Sequence, residues 1–385
     1  MNIGIICEYN PLHLGHVHQF EAIREKYGQD CCIICLMSGS YVQRGRPAVI
    51  DKSLRARAAV ACGADLVLEL PVTASLSSAE GFAAAGVRIL SPLCDVLCFG
   101  TETGTGESLM RTASALLSCA FPVYLRQGLD KGMSFPAARD LALTNMGMHS
   151  DLTSRPNDIL ATEYCKAILM QGSPLKIFPI CRPGSYHDRQ ADGENPSATA
   201  VRSLMMSSGL WLDYVPPAAG DLFRDASLHT LAAGERAMLY RLRTMTEEEF
   251  EALPYGSEGL WRKFMHACRE RSSLEGILNA AKSKRYTRTR LDRMAMCAFL
   301  GLSQPDLAAQ PPYTRVLAFN DRGRQILSQK AESCHLKNIG EKADDSFWAT
   351  EQRVQDLYGL FCTDAPEAPG REEKRRIHYE RNQEN

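Results

Sequence analysis

The residue types best suited to chemistry stand together near the start of the chain, in Glu8-Tyr9-Asn10-Pro11-Leu12-His13-Leu14-Gly15-His16. They follow directly on an apolar run, residues 2–7 (NIGIIC). They lead into a stretch where Val17, Phe20, Ile23 and Tyr27 recur at spacings of three and four, the period of one helical face. A glycine at a strand-to-helix turn lets an anion approach the backbone, and the first helical turn offers it free amide donors. Two imidazoles three residues apart can reach the same anion. As hydrogen-bond donors they would stabilise charge building on a phosphoryl group during in-line displacement. Zinc binding by His13, His16 and His18 is the competing chemistry. Spacings of three and two share one helical face poorly, however, and no carboxylate is paired with them.

A second constellation lies far downstream, in Ser197-Ala198-Thr199-Ala200-Val201-Arg202 after Asn195-Pro196. Hydroxyls and an arginine at the opening of a helix make a phosphate clamp, although taken alone they read as an ordinary serine-capped helix. A third is Lys282-Ser283-Lys284-Arg285-Tyr286-Thr287-Arg288-Thr289-Arg290, five cations around a tyrosine. Such a run suits RNA phosphates with base stacking on the ring, although charge runs are more often solvated helix faces. Cys31, Cys32 and Cys35 come closest to a metal spacing. No second pair follows them, and their apolar surroundings predict a buried strand.

These groups need a frame. Apolar runs of strand length recur at 2–7, 31–37 (CCIICLM), 65–70 (DLVLEL), 95–99 (DVLCF) and 176–180 (KIFPI), at intervals long enough for crossover helices. This pattern predicts an α/β fold, a doubly wound parallel sheet covered on both faces, with ligands at the carboxyl ends of its strands. After about residue 215 strand-like runs become rare. Stretches such as 236–242, 260–267 and 291–302 predict a mainly helical second part. The expected division is a catalytic domain over 1–212, a helical domain over 213–363, and a disordered tail over 364–385, which is poor in apolar residues.

Composition sets limits. Apolar residues make up 45% and charged residues 23% of 385, and the formal net charge is −1. No whole-molecule basic field announces nucleic-acid binding, so any such binding must use a local patch. Fourteen cysteines are scattered along the chain. With no basic leader before the first apolar run and no bilayer-length segment, they predict a cytoplasmic protein with reduced thiols and no membrane association.

The His-x-Gly-His and Ser-x-Thr motifs together resemble the nucleotidyltransferase superfamily, in which the first motif holds the α/β-phosphates and the second closes over pyrophosphate; Val201 stands where isoleucine is usual. Further blocks occur in order: Val42-Gln43-Arg44-Gly45-Arg46-Pro47-Ala48-Val49-Ile50-Asp51-Lys52, then Asp65-Leu66-Val67-Leu68-Glu69-Leu70-Pro71 and Leu97-Cys98-Phe99-Gly100-Thr101-Glu102. After them come Pro156-Asn157-Asp158-Ile159-Leu160, Arg182-Pro183-Gly184-Ser185-Tyr186-His187-Asp188 and Lys284-Arg285-Tyr286-Thr287. Over roughly residues 1–320 this order is similar to the tRNA(Met) cytidine acetate ligase family.

The resemblance implies a bacterial enzyme that uses ATP to convert acetate to acetyl-adenylate and pyrophosphate. The acetyl group then passes to N4 of the wobble cytidine of elongator tRNA(Met). It implies that Ile6-Cys7-Glu8-Tyr9-Asn10-Pro11-Leu12-His13-Leu14-Gly15-His16-Val17-His18-Gln19 wraps ATP, with Gly100, Asn157, Arg182 and Pro183 completing the nucleotide site. His13, His16, Ser197, Thr199 and Arg202 would be the catalytic set, and Mg²⁺ would neutralise the phosphates. Gln43 and Arg44 are expected to position acetate or the tRNA end. Lys284, Arg285, Arg288 and Arg290 are expected to hold tRNA. Two positions depart from the family pattern: Pro183 replaces an aliphatic residue, and Asp158 stands where asparagine is frequent. The alternatives are an adenylyltransferase for a small coenzyme precursor, which needs neither the helical part nor the basic run, and a non-catalytic nucleotide- or RNA-binding protein.

Overall fold

The computed structural model describes residues 1–148, 150–181, 197–207, 210–283 and 286–381. Ten strands occur among them: β1 (Asn2–Cys7), β2 (Cys32–Ser38), β3 (Tyr41–Val42), β4 (Arg46–Pro47), β5 (Leu66–Leu70), β6 (Val96–Thr101), β7 (Lys176–Cys181), β8 (Thr314–Asn320), β9 (Leu336–Asn338) and β10 (His378–Glu380). Eight make one sheet in the order β10-β8-β5-β2-β1-β6-β7, with β9 on β8, while β3 and β4 form a separate hairpin. Every pairing in the large sheet is parallel except β5 with β8.

The sheet is covered on both faces, which explains why its strands read as unbroken apolar runs. Along β2, Ile33, Cys35 and Met37 face one core with Phe20 and Ile23 of the helix Leu14–Tyr27. Cys32, Ile34 and Leu36 face the other, with Phe82 and Val87 of the helix Ala79–Leu90 and Tyr164 of the helix Pro156–Gln171. Each fully buried aliphatic side chain of this kind contributes about 1.5–3 kcal/mol of transfer free energy. Cys31, Cys32 and Cys35 are buried in these cores, as the sequence led us to expect, and all fourteen cysteines are free thiols. Burial pushes the Cys32 thiol up to about 12.

A third core belongs to the helices Leu231–Thr244, Leu260–Glu270, Leu274–Ala281 and Arg288–Leu300. The chain does not stay helical after it. The β8 strand returns to the sheet and pairs antiparallel with β5. The segment expected to be a disordered tail also belongs to the sheet: β10 pairs with β8 (His378 with Ala318), and Glu372 is fully buried. Two of its charges, Glu372 and Arg375, are matched rather than solvated. Lys52 Nζ meets Glu69 at 2.8 Å and Glu372 at 2.7 Å, and Arg315 meets Glu372 and Glu351, each at 2.6 Å. Arg375 binds Asp51 at 2.6 Å and Glu372 at 2.8 Å. Among the described residues, no helix is long and apolar enough to cross a membrane.

Candidate active site

At the carboxyl ends of β1, β2, β6 and β7 lies a cleft of about 1130 Å³. Its floor is the turn after β1. Tyr9 adopts φ +42°, a left-handed conformation that is uncommon outside glycine and needs support from its surroundings. That support is burial, an O–H···S contact with Cys35 of 3.3 Å, and edge-on packing of its ring against His16 and Phe20. The Asn10–Pro11 peptide is cis. Asn10 Oδ1 accepts from the Val49 amide at 2.7 Å, fastening the turn to the loop after β4.

His13 is the N-cap of the helix Leu14–Tyr27, and the His13 and His16 rings lie 3.8 Å apart, tilted by 31°. The His13 backbone N–H donates to His16 Nδ1 at 3.1 Å, one half of a capping box. This bond decides a question of mechanism. A ring nitrogen that accepts cannot carry a proton, so in neutral His16 the N–H sits on Nε2.

The opposite wall is the opening of the helix Ala198–Ser207. Ser197 Oγ accepts from the Ala200 amide at 3.1 Å. Arg202 donates to the Asn10 carbonyl at 2.5 Å and to Thr199 Oγ1 at 3.0 Å. Two segments 192 residues apart are thus joined by one guanidinium. We expect Arg202→Lys, whose single ammonium lacks the planar fork that reaches both acceptors, to slow turnover. The loss should be about 10–100-fold, the kinetic equivalent of the ~1.5–3 kcal/mol of a charge-assisted hydrogen bond. Steady-state kinetics with ATP as the varied substrate measures it.

The remaining expected residues divide. Ile6, Cys7, Glu8, Tyr9, Asn10, His13, Gly15, His16, His18 and Gln19 line the cleft, as do Gly100, Asn157, Ser197, Thr199, Arg202, Gln43 and Arg44. Pro11, Leu12, Leu14 and Val17 do not line it. Leu12 and Val17 instead pack into the core beneath, the inward face of the same turn and helix. Arg182, Pro183, Lys284 and Arg285 lie outside the described residues. Arg288 and Arg290 do not line the cleft. Arg288 binds Glu275 at 2.5 Å and Asp292 at 2.9 Å, and Arg290 donates to the Tyr255 carbonyl at 2.8 and 3.0 Å. Hydrogen bonding from Arg288 holds the Glu275 carboxyl down at about 2. Tyr286 is buried in the helical core with its hydroxyl on the Glu258 carbonyl, so the expected base stacking on its ring is not available.

Several contacts that position the site could not be read from the sequence. Arg55 is wholly buried and donates to the carbonyls of Ile50 (2.9 Å), Glu8 (2.6 Å), Ser38 (3.1 Å) and Gly39. It fixes the ends of β1 and β2 against each other. Asp158 accepts amide bonds from Glu102 (2.9 Å), Thr103 (3.1 Å) and Gly104 (3.3 Å) and the Thr103 hydroxyl at 2.8 Å. These four donors suit a carboxylate, which only accepts, and so account for aspartate at this position. Asn157 donates to Glu102 Oε1 at 3.1 Å, beside Gly100. Gly45, in the β3–β4 turn at φ +71°, lies so close to the helix Arg288–Leu300 that a Cβ would fall 2.5 Å from the Arg293 nitrogen. The helical part thereby holds the hairpin carrying Gln43 and Arg44.

This geometry has close counterparts. The HIGH Nucleotidyl Transferase family matches residues 1–373. The chain is similar to a tRNA(Met) cytidine acetate ligase of Clostridium novyi (strain NT), with 36% identity over 350 residues, covering 86% of this chain and 87% of that one. With the protein of that name from Clostridium perfringens (strain ATCC 13124) it shares 34% over 386 residues, covering 94% and 96%. Among solved structures, Thermotoga maritima TmcAL in its apo form superposes with a TM-score of 0.90 at 29% identity, covering 99% of this chain and all of that one. The same protein bound with alpha-thio ATP gives 0.87 at the same identity and coverage. From the paired histidines, the hydroxyl–arginine helix facing them and these whole-length matches, the chain belongs to the HIGH nucleotidyl transferase family, and within it to the tRNA(Met) cytidine acetate ligases.

Proposed function

We propose that the protein is an ATP-dependent ligase that activates acetate as acetyl-adenylate and transfers the acetyl group to N4 of the wobble cytidine of elongator tRNA(Met). The observation that carries this reading is the single cleft in which the His13–His16 pair faces Ser197, Thr199 and Arg202, bridged by the Arg202–Asn10 bond. ATP would lie with its α-phosphate at the N-terminus of the helix Leu14–Tyr27. There His16 Nε2–H and the first free amides donate to the oxygens that gain charge. A carboxylate oxygen of acetate attacks the α-phosphorus, the bond to the bridging oxygen breaks, and pyrophosphate departs under Ser197, Thr199 and Arg202. The cytidine amine then attacks the acetyl carbonyl and AMP leaves.

Mg²⁺ enters this scheme with ATP, whose phosphates it neutralises. Of the carboxylates on the cleft wall, Glu8 accepts from the Gln43 amide at 2.9 Å and Glu102 from Asn157. Both are committed to protein donors, so the ion is assigned to the polyphosphate rather than to a protein cage. A cytoplasmic location is part of this reading, supported by ATP and tRNA as its substrates. The helices from Pro217–Phe223 to Gln304–Ala308 are the tRNA-holding part in this reading.

Incubation with ATP, labelled acetate and total tRNA is the direct test. Label in N4-acetylcytidine of tRNA(Met) is the expected result. Pyrophosphate exchange that ignores acetate but responds to another carboxylate or a phosphate ester would replace this reading with that of a coenzyme adenylyltransferase. We further expect Arg44→Ala to depress acetylation by about tenfold or more, the loss of one charge-assisted contact, with the melting temperature unchanged. An unaltered rate would remove Arg44 from the site.

A further inference from the structure

At the edge of the cleft, outside the machinery described above, three ligand-type side chains converge: His229, Cys362 and Glu367. We propose that they form a binding site for one divalent transition-metal ion of the zinc class, tying the linker into the helical part to the C-terminal segment. The site is independent of the ATP chemistry and distinct from any Mg²⁺ carried by the nucleotide.

The geometry was built before any ion arrives. Residues 228–230 and 361–363 run alongside each other, with Thr230 N–H on the Phe361 carbonyl and Thr363 N–H on the Leu228 carbonyl, each at 2.8 Å. His229 and Cys362 face each other across this bridge. Glu367 is brought in by a turn in which its own amide donates to the Gly359 carbonyl at 3.0 Å. One donor atom from each side chain then lies within 4.8 Å of the others. His229 Nε2 and Glu367 Oε2 are 3.5 Å apart. Two donors at about 2.1 Å from a tetrahedral ion stand roughly 3.4 Å from each other, so this edge already has the spacing of a coordinated pair.

Chemistry selects the ion. A thiolate, an imidazole and a carboxylate are a zinc donor set, and three protein ligands leave one position for water. His229 is 2% exposed, and neither ring nitrogen has a hydrogen-bond partner among the described residues. A buried imidazole in that condition is costly unless something occupies it. Its ring is held by stacking on Tyr358 at 4.0 Å and 15°, the kind of orientation a metal ligand needs. Arg371 ion-pairs with Glu367 Oε2, but its side chain is 41% exposed and can turn to solvent. His229 lies on the cleft wall with Thr230 and Leu231, which gives an ion a path in.

The test uses the full chain, stripped with a chelator and dialysed, then titrated with Co²⁺. We expect saturation at one ion per chain, with a thiolate-to-cobalt charge-transfer band and the strong d–d bands of a tetrahedral site, both erased by Zn²⁺. Cys362→Ser should abolish the charge-transfer band. Glu367→Gln should weaken Zn²⁺ binding by about tenfold or more. Zn²⁺ should raise the thermal midpoint of the wild type but not of Cys362→Ser. A wild-type spectrum without the charge-transfer band overturns the proposal and leaves a plain His229–Glu367 ion pair. So does a band that persists in Cys362→Ser, which would place the ion on another cysteine. The wild-type spectrum and stoichiometry decide the matter even if a variant fails to fold.

Discussion

His16→Ala is expected to slow acetate-dependent ATP–pyrophosphate exchange by about 10²–10³-fold, the effect of deleting one preorganised donor to a developing oxyanion, ~2.7–4 kcal/mol. The loss should fall on the rate at saturating ATP more than on the apparent affinity, because the bond from Nε2–H strengthens as the α-phosphate gains charge. His16 is the better choice than His13. The His13 side chain is buried at the N-cap, so its removal also disturbs the fold, whereas His16 is only half-buried. The substitution also removes the acceptor for the His13 amide, a local cost of about 0.5–2 kcal/mol. A melting curve separates the two effects: a modest fall in midpoint with a hundredfold loss of exchange supports the assignment. A variant retaining more than a third of the wild-type rate would remove His16 from the chemistry.

The second large effect is on stability. Glu372→Ala deletes the carboxylate shared by Lys52, Arg315 and Arg375 and leaves three buried cations short of a partner. Breaking a buried pair in this way costs about 3–5 kcal/mol. Much of the stability of a domain is at stake, since ordinary totals are only about 5–15 kcal/mol. Urea unfolding at neutral pH measures it, and a change under about 1 kcal/mol would show the network to be dispensable.

The same carboxylate gives a pH signature. Burial alone would raise Glu372, but Lys52, Arg315 and Arg375 together bring it down to about 2. A carboxyl whose folded value is depressed contributes stability that is complete above its unfolded value of about 4.3. That contribution is lost as pH falls towards 2. Asp51, held low chiefly by Arg375 against its own burial, loses its share over a still more acid range. Glu351 moves the other way, raised by burial against the pull of Arg315, and offsets part of the loss. Wild-type stability should therefore decline between about pH 4 and pH 2, and the decline should be shallower in Glu372→Ala.

The two predictions mark different degrees of legibility. The histidine turn was readable because its pattern is local. His13, Gly15 and His16 sit within four residues, and the strand and helix around them have strong periodic patterns. The parallel strands were readable for a related reason: burial on both faces leaves runs such as CIICLMS almost wholly apolar. The buried ion network was not readable, because Lys52, Glu69, Arg315, Glu351 and Glu372 are charged residues that composition assigns to the surface. Only their convergence neutralises them. Residues 364–381 of the expected tail were misread for that reason, since a Glu- and Arg-rich segment looks solvated until its partners at Asp51, Lys52 and Arg315 are known. The β8 strand was hidden likewise, with a short apolar middle, Arg315 buried in the same network and Asn320 buried against Asp65.

The basic run shows the reverse error. Its spacing advertised cations around an aromatic ring, yet Tyr286 turns inward and Arg288 and Arg290 bond within the helical part. A linear count of charge cannot say which cations are already neutralised.

The amino-acid sequence by itself determined the doubly wound sheet, the strand-to-helix turn with His13 and His16, and the helix opening with Ser197, Thr199 and Arg202, because each rests on a pattern of residues close in the chain. The tertiary structure alone decided which nitrogen of His16 carries the proton, that Arg202 bridges to Asn10, that Arg55 fixes the strand ends, and that the C-terminal segment closes the sheet. Each of these depends on directed bonds to specific partner atoms, most of them distant in the chain, and a buried charge or ring acquires its role only from the partner the fold sets against it.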